Sequence, residues 1–148
     1  MSRVAALVIA IACGSACSGK SGSTTTPGGS TVIVAKKMRI SWGVSPVGDA
    51  SDVYLASTDE TGGQVSHSVG HYAGTCAAAA SPPAMKALMT VMCQSPDGGG
   101  DEIDAVVRDG EVIVLHVRFE SGITPDPMGR ERVTSIPIPI GTAVEVAR

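Results

Sequence analysis

The 148-residue chain is poor in aromatic side chains, with one tryptophan, two tyrosines and one phenylalanine. So few rings exclude a stacking platform for bases or flat cofactors. Positive charge is also scarce. Lys and Arg total 11 against 14 Asp and Glu, a formal net charge of −3. That balance offers no basic stripe to track a phosphate backbone, so nucleic acid is not expected as a partner. Charged residues make up only 17% of the chain while glycine numbers 18, which argues for a turn-rich domain rather than a coiled coil or helical bundle. No apolar run reaches the roughly 20 residues that cross a bilayer as a helix. The chain also lacks C-x-x-C, G-x-S-x-G and S-x-x-K. Without them there is no thioredoxin-like redox signature and no local nucleophile motif. The expectation is a non-catalytic protein without a cofactor.

What is present starts with an address. Met1-Ser2-Arg3 leads into the apolar run Val4 to Ala12, and Cys13-Gly14-Ser15-Ala16-Cys17-Ser18 follows. A positive start, a short apolar core and small residues after it fit a secretory signal peptide better than a buried strand. The Cys-containing stretch resembles the lipobox of bacterial lipoproteins, where small residues precede a Cys that is diacylated and becomes residue one. The resemblance covers roughly the first 20 residues. It implies acylation at Cys17, with Cys13 as the alternative. Cysteine parity favours Cys17: Cys13 then leaves with the signal, and Cys76 and Cys93 remain as an even pair.

The chain divides accordingly. Residues 1–16 form the signal, 17–30 a Ser/Thr/Gly-rich tether, and 31–148 the folded domain. The implied location is the cell envelope, with attachment to the lipid bilayer through acyl chains. The outer membrane is favoured because Ser18 is not the Asp that retains many lipoproteins at the inner membrane. An unlipidated secreted or periplasmic protein is the alternative. Gly14 to Ser21 also matches a P-loop, G-x-x-x-x-G-K-[ST]. The Gly/Ser/Thr-rich residues after it are poor helix formers, so the helix that would hold phosphate is missing and the match is a coincidence.

Residues 31–148 read as strands. Met38, Ile40, Trp42 and Val44 alternate with polar neighbours. Val53 to Ala56 is a second short run, and Thr61-Gly62-Gly63 signals a turn before Val65 to His71. Ile103 to Phe119 reads as a hairpin around Asp109-Gly110. If one face alone is buried, a three-residue loop, Arg108-Asp109-Gly110, aligns Ile103, Ala105 and Val107 with Ile113, Leu115, Val117 and Phe119. It leaves Asp104, Arg108, His116 and Arg118 on the wet face, with His116 near Glu102 and Arg118. Val133 to Val146 reads as one strand, with Pro137 and Pro139 marking an edge. One short helix is expected: Ser81 as cap, Pro82 in the first turn, then Met85, Leu88, Met89 and Met92 at helical spacing. A strand over Leu88 to Cys93 is the alternative. The fold class is mainly β, a single antiparallel β-sandwich-like domain with one short helix.

Four groups bear on chemistry. Cys76 and Cys93, in an oxidising compartment, are expected to form a disulfide closing a loop of about 18 residues, worth roughly 3 kcal/mol. His67 and His71 are the candidate metal ligands for Zn, but on a straight strand they stand about 13 Å apart. Met85, Met89 and Met92 distantly resemble the Met motifs of periplasmic copper-binding proteins; core packing explains them as well. Asp97, Asp101 and Asp104 flank a Gly-rich loop and are candidate calcium ligands, although the EF-hand pattern fails. The function expected is a membrane-anchored envelope module that binds a protein or glycan partner, or a small ligand. The alternatives are a metal-binding (Zn or Cu) envelope protein and a small hydrolase.

Overall fold

The computed structural model describes residues 36–147. The signal, the tether, Cys13, Cys17 and the P-loop-like stretch lie outside the described residues. Nine strands follow in order: β1 (Lys36–Val47), β2 (Ala50–Thr58), β3 (Gln64–Ala73), β4 (Thr75–Ala79), β5 (Met89–Gln94), β6 (Gly100–Arg108), β7 (Glu111–Phe119), β8 (Glu131–Pro137) and β9 (Thr142–Val146). They form two sheets, β3-β2-β1-β9 and β4-β5-β6-β7-β8. The pairings are antiparallel except that of β1 with β9, which is parallel. One core holds Ile40, Val53 and Leu55 from the first sheet and Val91, Ile103, Val112 and Val114 from the second. That is a β-sandwich-like domain, as the strand pattern implies.

The alternation in β1 survives intact. Met38 and Ile40 are buried, while Trp42 and Val44 pack against the core. The turn near Thr61 is closed by Asp59, whose carboxylate accepts from the Thr61 hydroxyl and from the Thr61 and Gly63 amides. Those bonds, the Thr61 hydroxyl first, hold its pKa below the usual carboxylate range. The chain changes sheets at Gly74, whose φ of +85° suits glycine. An added Cβ there would lie 1.9 Å from the Gln94 carbonyl oxygen.

Three expectations need correction. The β6–β7 loop has two residues, not three. Val107 pairs with Val112 and Arg108 with Glu111. Asp109 and Gly110 both have positive φ, 52° and 78°, as a type I′ turn requires. A three-residue loop would keep one face dry and the other wet. Both faces are dry here: Val112 and Val114 point into the main core, while Ile113 and Leu115 join Val106 in a second cluster covered by Met85 and Ala87. With apolar residues on both sides, burial no longer penalises the slip and turn chemistry sets the register.

The expected helix shrinks to a 3-10 turn, Pro83–Met85. Lys86, at φ 48°, ends it. Ser81 makes no cap, and its hydroxyl lies 2.9 Å from Thr90 Oγ1. Met89 to Gln94 forms β5 instead, because Val91 and Cys93 pair into a sheet with strands on both sides.

The C-terminal run is two strands in different sheets, not one. Pro137 ends β8, and Thr142 closes a turn on the Pro139 carbonyl before β9 starts. Proline has no amide to continue a ladder. β8 is nevertheless an edge strand.

Candidate functional site

Strand β6 carries three acidic residues in four positions, Asp101, Glu102 and Asp104, and all three are buried. Carboxylates are seldom buried unless paired. Successive strand residues face opposite ways, so Asp101 points to the core side while Glu102 and Asp104 point to the other. Two polar clusters result.

On the core side, Asp101 stands in register with Arg118 across β6–β7 and with Cys93 across β5–β6. Its Oδ1 lies 2.7 Å from His116 Nε2 and 3.2 Å from Arg118 Nε. The Tyr72 ring of β3 lies 5.3 Å from the His116 ring, centroid to centroid. Burial, and then the Asp101 charge, pushes the Tyr72 hydroxyl above its usual pKa. His116 is thus not the wet-face residue expected from the hairpin. The two-residue turn moves it to the inner face, where its side chain is 23% exposed. Beside it an open cleft of about 360 Å³ is lined by Ser95, Asp97, Asp101, Arg118 and Phe119, among others.

On the other side, Arg130 reaches over β7 from the start of β8 and uses all three guanidinium nitrogens. Nε donates to Asp104 Oδ2 at 3.0 Å, Nη2 donates to Glu102 Oε1, and Nη1 donates to the Asp126 carbonyl at 2.9 Å. The side chains of Arg130, Glu102 and Asp104 are 3%, 4% and 0% exposed. Thr90 Oγ1 lies 2.5 Å from Asp104 Oδ1, which ties β5 and Ser81 into the same network. Burial, then the neighbouring Asp104 charge, raises the Glu102 pKa; Arg130 opposes both.

The candidate metal residues are not brought together. A bulge in β3 leaves Val69 unpaired between Gly70, which sits opposite Val53, and Ser68, which sits opposite Tyr54. That extra residue places His67 opposite Leu55 on the inner face and His71 opposite Asp52 on the outer face. His71 Nδ1 lies 2.6 Å from Asp52 Oδ1. His67 Nε2 is buried without a hydrogen-bond partner. Met85 lies in the 3-10 turn while Met89 and Met92 lie on β5, so the helical spacing behind the copper reading is absent. Of the candidate calcium ligands, Asp101 and Asp104 face opposite sides of β6. Asp97 accepts from the Ser95 hydroxyl and the Gly99 amide, which lower its pKa in that order. Among the described residues, no group of three or more His, Cys, Asp or Glu could hold a metal.

Cys76 and Cys93 form the expected disulfide, directly across β4–β5. Arg130 went unnoticed in the sequence, as did Glu102 in this role. The available signal was the acidic pair at i and i+2 inside an otherwise apolar strand, which demands a buried cation from elsewhere. Compared with known proteins, the chain matches no family model, no curated protein and no solved structure.

Proposed function

We propose that this chain is an exported, lipid-anchored envelope module that displays a rigid sandwich on a flexible tether and acts by binding a protein or glycan rather than by catalysis. The observation that carries the reading is the Cys76–Cys93 disulfide. It belongs in an oxidising compartment and leaves Cys13 and Cys17 as the chain's remaining thiols, both in the lipobox-like stretch. The Arg130–Glu102–Asp104 cluster is buried and joins strand to strand, a structural use of these charges. An outer-membrane location is part of the same proposal.

The test is Cys17→Ala in a bacterial host. The unaltered protein is expected in the membrane fraction, Cys17→Ala in the soluble periplasmic fraction, and Cys13→Ala still in the membrane. Retention of Cys17→Ala with release of Cys13→Ala would move the anchor to Cys13. Soluble unaltered protein would remove the anchor altogether.

A second reading, a small hydrolase, has one specific observation behind it: the His116–Asp101 pair at 2.7 Å, the geometry of an oriented general base. No hydrogen bond joins a Ser or Thr hydroxyl to His116 among the described residues. The binding reading therefore stands first.

A further inference from the structure

Glu120 to Gly129 connects β7 to β8 and is pinned at its end by Arg130. The segment is ordered by its own contacts: the Ile123 amide donates to the Glu120 carbonyl, the Met128 amide to the Asp126 carboxylate, and the Gly129 amide to the Asp126 carbonyl. Among the described residues, its ion pairs to β6 run through the buried Arg130 guanidinium, set between Glu102 and Asp104. From this geometry we infer that residues 120–130 form a strap, latched by Arg130 on a buried carboxyl pair and released as rising pH removes a proton from that pair.

The charge count drives the device. Two carboxyls share one arginine. With one proton on the pair the cluster is neutral. With none it carries one uncompensated negative charge, away from water. Such a charge is expensive, and letting water in by lifting the strap relieves it. The groups facing the pair from each neighbour complete the count. Along β6 it is the other carboxyl and, four residues past Asp104 on the same face, the exposed Arg108. From β5, Met92 stands opposite Glu102 and Thr90 opposite Asp104. From β7, Val117 and Leu115 take those places. From β8, Arg132 is opposite Leu115 but is paired with Glu111 at 2.7 Å. In the strap, the Asp126 carboxylate is turned to the Met128 amide. The 81–88 segment covers the same face through Met85 and Ala87 and brings the Ser81 hydroxyl, bonded to Thr90, and the exposed Lys86. Among the described residues, Arg130 is the cation bonded to Glu102 and Asp104.

The sign follows. The Glu102 pKa is raised, by burial first and by the Asp104 charge second. A carboxyl with a raised folded pKa stabilises the fold fully below its unfolded value, near about 4.3, and loses that contribution as pH rises through the folded value. The strap is tight in acid and loosens towards alkaline pH.

Hydrogen exchange on the full, disulfide-bonded chain tests this, with protection factors corrected for intrinsic rates from about pH 5 to about pH 9. Relative to amides of β1 and β2, those of 120–130 are expected to lose protection progressively over that range. Glu102→Gln mimics the protonated side chain and should hold protection flat. Flat protection in the unaltered chain, or an equal loss in Glu102→Gln, would overturn the latch. Carbon-13 titration of the Glu102 carboxyl in the unaltered chain reads the same point without a variant. A midpoint in the ordinary glutamate range contradicts the proposal, and one above it supports it.

Discussion

Replacing Arg130 with methionine is expected to lower the unfolding free energy by about 3–5 kcal/mol, because it removes one partner from a buried ion cluster and leaves the other two. Methionine keeps an unbranched stem, so the loss reports the missing guanidinium more than missing packing. The cost arises from Glu102 and Asp104, which would stay buried, close together and without a cation. The remedy follows: adding Glu102→Gln and Asp104→Asn to Arg130→Met should recover most of the loss, since neutral amides need no counter-ion. Arg132→Met provides the contrast. Its partner Glu111 is at 2.7 Å, but their side chains are 52% and 33% exposed, and exposed pairs are worth under about 1 kcal/mol. Urea denaturation of the four proteins checks the set. If Arg130→Met costs no more than Arg132→Met, the buried cluster is not what holds the 120–130 segment.

The second large effect is expected from the disulfide. Cys76 and Cys93 are 17 residues apart in sequence and bonded across β4–β5. Closing a loop of that size restricts the unfolded chain by roughly 3 kcal/mol. For a domain of about 100 residues, each kcal/mol shifts Tm by about 4–8 °C. Replacing both cysteines by alanine should therefore lower Tm by about 12–24 °C. Alanine avoids placing a polar hydroxyl at Cys93, which is fully buried. The domain has little to offset such a loss, since its core contains no phenylalanine and its rings are few. A Tm drop of only a degree or two in thermal unfolding would show that the sheets alone fix these strands.

The two effects differ in how visible their causes are in the sequence. The disulfide was legible from the cysteine count together with the signal-like residues 1–16. Strand β1 of the first sheet was legible because one face meets the core and the other meets water, as Met38 and Ile40 against Lys37 and Arg39 show. Strand β9 of the same sheet was not, since Pro137 to Gly141 did not reveal that the chain changes sheets there. The hairpin register was not, because its premise failed: β6 and β7 are covered on both faces, so alternation held no information about which face is wet. Asp109-Gly110 did hold it, through the two positive φ values of the tight turn. The separation of His67 from His71 depends on one bulged residue, Val69, and no local pattern announces a bulge. Arg130 was invisible for a different reason. Its partners lie 26 and 28 residues upstream and are met only after β7 and the following loop fold back. Helical spacing in Met85 to Met92 misled because strand pairing on both sides overrides local propensity.

The proposed placement of the protein is tested most directly by intact mass measurement on material extracted from its native cells. A chain beginning at Cys17, carrying acyl chains and lighter by two hydrogens for the Cys76–Cys93 bond, is the expected result. A chain that begins elsewhere without lipid, or one that holds a metal on free Cys76 and Cys93, would contradict the anchored-module account.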